Sequence, residues 1–297
     1  MGAFYSPLVV GIRYRKTILN MSSPVYLLGI SCDYHDAAAA LLKDGVIVAA
    51  AHEERFTRVK HDERIPESAI SYCLAEAGIT LADVCGIVFY EKPLVKFERL
   101  LKTYIRTWPK GLKSFIQAML SFLTKKLWIE QRVRKLLSYN GPFYYVDHHI
   151  AHAASAFYPS GFDDAILITM DGVGEDDTTT IGYGKGTQVS LTHSIHFPHS
   201  LGLLYSALTY YLGFKVNSAE YKVMGLAPYG NPAVFRDRIA KLVTRYPDGS
   251  FTLNMEYFSY EYALVMTSKK FDTLFGGKAR TGESGVSQRE KDIAAAL

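Results

Sequence analysis

Asp44-Gly45 stands between two apolar runs, Ala37–Leu42 and Val46–Ala51. A two-residue turn there needs positive φ, which Gly supplies and Asp tolerates, so the pair predicts a tight β-hairpin. Another apolar run, Tyr26–Ser31 (YLLGIS), precedes it across the polar turn Cys32–Asp36. The chain is therefore expected to open as strand, polar turn, strand, Asp-Gly turn, strand. Ile70, Leu74 and Ala77 then share one face of a predicted helix, Pro66–Gly78, with Gly78 as its stop, and Val84–Tyr90 (VCGIVFY) reads as a buried strand. A second round follows. Pro142–Val146 and Ala165–Thr169 read as strands flanking a His-rich helix, and Thr180–Gly184 with Val189–His193 read as a hairpin about Gly184–Gly186. Helices are expected at Leu201–Leu212 and Ala233–Tyr246, and the Asp248-Gly249 turn leads into a strand at Phe251–Leu253. No solenoid repeat is visible. Hairpins and helices arriving in two rounds predict two related α/β lobes, which 297 residues can build.

Between the rounds the composition changes. Residues 91–140 hold twelve Lys/Arg against three acids, about +9, while the whole chain is only +4, so the remainder is about −5. Leu, Ile and Phe interleave with those charges at helical spacing, which predicts a basic helical insertion. It is either a solvated face or a surface that meets an anionic substrate or partner. The overall charge is too mild to argue for nucleic acid. With 48% apolar and 21% charged residues the chain belongs with folded proteins and not disordered ones. It has no apolar run of about 18 residues, so no membrane-spanning helix is expected. Cys32, Cys73 and Cys85 form no CxxC and cannot all pair within the chain, which points to a reduced, cytoplasmic protein. Residues 1–23 are expected to be a disordered leader or a mis-called start, Met21 being a second candidate start. At the other end Ser287–Leu297 (SQREKDIAAAL) reads as a helix with a capping Ser that stops mid-pattern, so the chain is expected to be truncated.

Three constellations carry chemistry. In Asp147–Ser155 (DHHIAHAAS), His148 and His152 are four residues apart and share a helix face, while His149 points elsewhere. Two imidazoles so placed can clamp Fe, Zn or Mn, with Asp171 at a strand end as a possible third ligand; a packing cluster is the alternative. The Glu of HExxH is missing, which argues against a zinc protease. Thr169–Thr180 (TMDGVGEDDTTT) runs from a strand into glycines and hydroxyls, which fits either a hairpin turn or a loop that admits phosphate. In Asp33–Asp36 (DYHD), His35 between carboxylates reads equally as a general base or as part of a polar turn. Two weaker segments remain. Glu53–His61 (EERFTRVKH) can hold an anion or end a hairpin, and in Asn217–Gly230 (NSAEYKVMGLAPYG) Gly225 and Gly230 frame a turn while Glu220 and Lys222 can grip a ribose or phosphate.

The segments GISCDYHDAAAALLKDGVIVAAAHEERFTRVKH, HHIAHAASAFYPSGFDDAILITMDGVGE, FPHSLGLLYSALTYYLGFKVNS and EYKVMGLAPYG resemble, in order, the carbamoyltransferase family of nodulation and antibiotic O-carbamoyltransferases. The resemblance runs from about Tyr26 to Leu297. It implies an α/β, Kae1-like domain of the actin/Hsp70/sugar-kinase fold at 24–297, two-lobed at about 24–165 (with the basic helical insertion 91–140) and 166–297. The second lobe is expected to be incomplete and the family's C-terminal YrdC-like domain absent. In such enzymes the YrdC-like domain makes carbamoyladenylate from carbamoyl phosphate and ATP, and the Kae1-like domain passes the carbamoyl group to a hydroxyl of a sugar or other small acceptor. By motif match, His148, His152 and Asp171 are the expected ligands of a divalent metal, Fe(II) or similar, and Gly172 and Gly174 the expected backbone donors to phosphate. Glu220, Lys222 and Gly225 join the expected nucleotide site. His35 and Asp36 are the expected catalytic residues, in a cleft between the lobes. The family has Gly where Ala219 stands, a change expected to be tolerated. The expected partners are carbamoyl phosphate, ATP, a small hydroxyl acceptor and a YrdC-like domain in cis or in trans, with neither membrane nor nucleic acid among them. Two other readings share these motifs: a tRNA threonylcarbamoyl transferase, with the basic insertion on RNA, and an inactive nucleotide-binding fragment.

Overall fold

A computed structural model describes residues 23–282 and 285–297. The expected leader at 1–23 lies, but for its last residue, outside the described residues. Two compact units emerge: one takes in the described chain through Phe97 together with Met119–Ser160, the other Glu98–Ala118 with Gly161–Leu297.

In the first unit, β1 (Tyr26–Ser31), β2 (Ala38–Lys43) and β3 (Val46–His52) form an antiparallel meander. Asp44 and Gly45 join β2 to β3 with φ of 51° and 84°, the mirror-image turn that the Asp-Gly pair predicts. A one-turn helix α1 (Glu54–Thr57) and then α2 (Glu67–Ala77) carry the chain to β4 (Val84–Phe89), which pairs parallel with β1. The parallel strand β5 (Phe143–Tyr145) completes the sheet in the order β3-β2-β1-β4-β5. Alternate residues of β1, β2 and β4 enter one core with α2, which lies against β2 and β3, and Leu28, Leu41, Ile87 and Cys73 reach zero exposure. Gly78 closes α2 at φ 65°. The basic segment forms α3 (Pro93–Thr107), α4 (Leu112–Thr124) and α5 (Ile129–Leu137), and α5 sends Ile129 and Val133 into this core. Then α6 (His148–Phe157) follows β5.

The second unit has an antiparallel sheet of β6 (Asp164–Gly174), β7 (Asp177–Lys185) and β8 (Gln188–His196), with α7 (Leu201–Tyr211) lying against β6. Ile166, Ile168 and Met170 of β6 and Ile181 and Tyr183 of β7 lie exposed, with Ile168 opposite Ile181 and Ile166 opposite Tyr183. After α8 (Glu220–Leu226) the predicted helix 233–246 breaks up. Pro232–Val234 makes a 3-10 turn, α9 (Arg236–Ala240) is short, and Val243–Arg245 is strand β9 paired with β10 (Phe251–Leu253). The Asp248-Gly249 turn, with Gly249 at φ 84°, draws the last predicted helical residues into a hairpin. Next, α10 (Lys269–Phe275) adds Phe271 and Phe275 to a core with Tyr211, Leu208 and Phe258. Last comes α11 (Gln288–Ala296), opened by a Ser287–Glu290 capping box as its sequence predicts. Cys32 and Cys73 are buried and Cys85 exposed, all three as free thiols. Among the described residues no helix is long and apolar enough to cross a membrane.

Candidate functional site

The first unit gathers two polar clusters. In α6 the four-residue spacing brings the Nε2 atoms of His148 and His152 to 2.9 Å, with ring centroids 4.6 Å apart. Two converging imidazoles are a donor set that a divalent metal can use. His149 is buried, and Asp147 before the helix is paired with Lys92 at 2.7 Å.

The other cluster sits at the β1–β2 turn. Asp33 and Asp36 take left-handed φ of 64° and 59°, which a short polar side chain tolerates best after Gly. Asp36 bridges two rings: His35 Nδ1 lies 2.7 Å from its Oδ2, and His61 Nδ1 lies 2.9 Å from its Oδ1. Burial opposes ionisation of Asp36, but the hydrogen bonds from His61 and His35 outweigh it and hold the carboxyl below its ordinary value. Asp36, Glu54 and His61 each offer a donor atom within 4.8 Å of the others, and Glu54 also accepts from the His61 N–H at 3.1 Å. The turn and the segment 53–64 are tied together by main chain: Glu53 N–H donates to Ala37, Ala37 N–H to Asp62 and Asp33 N–H to Glu63, each at 2.8 Å. Buried Asp62 accepts from Thr57 and Arg64, whose bonds pull its carboxyl far below the usual carboxylate range. Read along the chain, DYHD and EERFTRVKH are separate segments. Strand pairing of Ala38 with His52 returns the chain to its own turn and makes them one site, so His61 and Glu54 could be found only through that register.

The second unit holds the remaining expected residues. Asp171 and Gly172 lie within β6, at a break in its register between Met170 and Gly174. Asp171 Oδ1 accepts from the Gly172 N–H at 2.7 Å, and Ser200, the N-cap of α7, donates to the Asp171 carbonyl at 2.9 Å. Gly174 pairs with Asp177 across a two-residue turn, so DGVG runs as the end of a strand entering a hairpin. Glu220 opens α8 and accepts from the Asn217 N–H at 2.8 Å; Lys222 Nζ lies 6.0 Å from the Phe214 ring. Gly225 lies inside α8 and frames no turn, whereas Gly230 packs so closely on Lys291 that a Cβ would come 2.0 Å from its carbonyl oxygen.

The chain is 56% identical over 280 residues to an uncharacterised protein of Synechocystis, covering 92% of this chain and 46% of that one. It is 34% identical over 226 residues to nodulation protein NolNO of Sinorhizobium fredii, covering 75% of this chain and 32% of the relative. It thus spans about half the length of the first and a third of the second. Among solved structures, YeaZ from Pseudomonas aeruginosa aligns over 59% of this chain and 68% of its own at 18% identity and a TM-score of 0.31. A model of the carbamoyltransferase N-terminus matches residues 26–297, and the chain belongs to that family.

Proposed function

We propose that this chain is the carbamoyl-transferring, Kae1-like part of an O-carbamoyltransferase. Its two α/β lobes are of the actin type, and its donor is carbamoyladenylate, made from carbamoyl phosphate and ATP by a YrdC-like domain in cis or in trans. The hydroxyl of a sugar or other small acceptor attacks the carbamoyl carbon. The bond from that carbon to the phosphate oxygen breaks, AMP leaves with the electron pair, and the hydroxyl proton passes to a base. The family match over 26–297 carries this reading, and the converging nitrogens of His148 and His152 support it.

His35 is the proposed base. With its Nδ1 proton donated to Asp36, its Nε2 keeps the lone pair and can accept from the hydroxyl. Asp36, held ionised, then stabilises the imidazolium that forms. His148 and His152 hold the divalent ion, Fe(II) by likeness to the family, and the motif match adds Asp171 as a carboxylate ligand. When bound, the ion supplies positive charge to the phosphate of the leaving group. By the same match Gly172, Gly174, Glu220, Lys222 and Gly225 serve the nucleotide. The test supplies radiolabelled carbamoyl phosphate, ATP, a YrdC-like domain and a set of mono- and oligosaccharides. Label should appear in an acceptor with the native chain and not with His35→Asn. AMP release with no acceptor ever labelled would refute transfer.

A further inference from the structure

The basic segment is more than a solvated face. Within the first unit, Lys125, Lys126 and Arg132, from the end of α4 to α5, meet Tyr34, Glu63 and Arg64 around a cavity of about 280 Å³. Tyr34 is the residue before His35, so the cavity wall and the reactive turn share a backbone. The charges do not cancel. Arg132 is paired with Asp33 at 2.5 Å, Arg64 with Asp62 at 2.6 Å, and nearby Lys96 with Glu91 at 2.8 Å. Neither Lys125 nor Lys126 is paired with a carboxylate among the described residues. Four cations and two acids line the space, and with Asp62 beside Arg64 counted the excess is one positive charge. Lys126 and Lys96 also crowd one ring, with their ammonium nitrogens 5.6 and 5.9 Å from the centre of Tyr34. Burial, and after it the charge of Lys96, push Lys126 below the ordinary lysine value. Two like charges held around one half-open cavity are stabilised by a bound anion of opposite charge.

We propose that this cavity is a subsite for a tetrahedral oxyanion, a phosphate or sulfate ester group carried by a substrate of the His35–Asp36 turn. Lys125 and Lys126, which outweigh the one carboxylate of Glu63, supply the charge, and Arg132 and Arg64 add directed N–H donors while keeping their own carboxylates. The volume admits the oxyanion and part of the skeleton that bears it. The assignment of the substrate rests on the transfer reading, but binding of the oxyanion does not, so the two can fail separately.

The test is calorimetric titration of the native chain with inorganic phosphate at pH 8, against chloride at matched ionic strength. A Kd on the order of 1 mM is expected for a lone small anion in such a site. Lys126→Gln should weaken binding by about tenfold or more, since one charge-assisted contact is lost. The double variant K125Q/K126Q should abolish it, and Lys43→Gln, at the far end of β2, should leave it unchanged. Sulfate should compete and acetate should not. Lys125 is exposed and Lys126 half-buried, and an unchanged circular dichroism spectrum verifies that each variant is folded. Phosphate heats no larger than those of chloride, full binding by the double variant, or acetate binding as tightly as phosphate would each overturn the proposal.

Discussion

Glu53 links the fold to the His35–Asp36 turn, and its removal has a calculable cost. The side chain is 4% exposed, and its carboxylate accepts from the Ser68 N–H at 3.1 Å and the Ala69 N–H at 2.8 Å, where α2 begins. Each hydrogen bond to a charged acceptor contributes about 1.5–3 kcal/mol, and a negative charge at a helix N-terminus about 0.3–1 more. Against this, the native state bears the desolvation of a buried carboxylate, which Glu53→Ala relieves. The fully buried Ala69 would keep an N–H that water cannot reach. The balance for Glu53→Ala is a loss of about 3 kcal/mol, within the range for breaking a buried charged contact. Glu53→Gln keeps one acceptor oxygen but turns an NH2 group towards the other N–H, for a loss of about 2 kcal/mol. Urea unfolding should show both losses as lower midpoints at constant slope. Amide exchange at Ala69 should accelerate about a hundredfold in the Ala variant through local opening. A loss under about 0.5 kcal/mol with Ala69 exchange unchanged would refute the reasoning, because surface substitutions alone produce effects of that size.

Replacing His152 by Ala should remove most of the bound divalent ion, since one imidazole on that helix turn cannot clamp it; elemental analysis showing unchanged content would sink the ligand assignment. Because the Asp62 carboxyl is depressed in the fold, its stabilisation is complete above the unfolded value near pH 4 and declines as pH falls through the folded value. Asp62→Asn should therefore lower stability at pH 7 and flatten its fall in acid, as followed by urea midpoints across that range. Gly202→Ala would set a Cβ 2.6 Å from the Asp171 carbonyl oxygen and 2.7 Å from the Gly172 nitrogen. The helical gain of Ala is about 1 kcal/mol, but backbone atoms cannot swing aside as a side chain would. A net loss of about 2 kcal/mol or more is expected, with displaced amide resonances at Asp171 and Gly172; a stabilised variant would contradict it.

What could be read from the chain follows the range of the forces involved. The Asp-Gly turn, the stop of α2 at Gly78 and the Ser287–Glu290 box are set within four residues, and each formed as its residues dictate. The segment 233–246 did not, because Asn231 and Pro232 start a 3-10 turn and strand pairing with Phe251–Leu253 claims Val243–Arg245. At the candidate site, His35 and Asp36 or His148 and His152 are neighbours on one turn or one helix face, and spacing alone relates them. His61 on Asp36 and Arg132 on Asp33 are 25 and 99 residues away, brought there by sheet register and by the return of α5 to the first core. No local pattern encodes such distances. The basic composition of 91–140 was plain, but which of its cations are already neutralised depends on where Asp33 and Glu91 stand in three dimensions.

The exposed row of Ile166, Ile168, Met170, Ile181 and Tyr183 on the three-stranded sheet bears on how the protein behaves in concentrated solution. These side chains are hydrated in the folded state, so they add little to the free energy of folding. They do set how much apolar surface two molecules can remove from water by meeting. Sulfate and phosphate at high concentration, being on balance excluded from the apolar surface, strengthen that tendency. Such salts should therefore bring the folded chain out of solution well before they alter its fold, with the sheet face as the first region to lose its water.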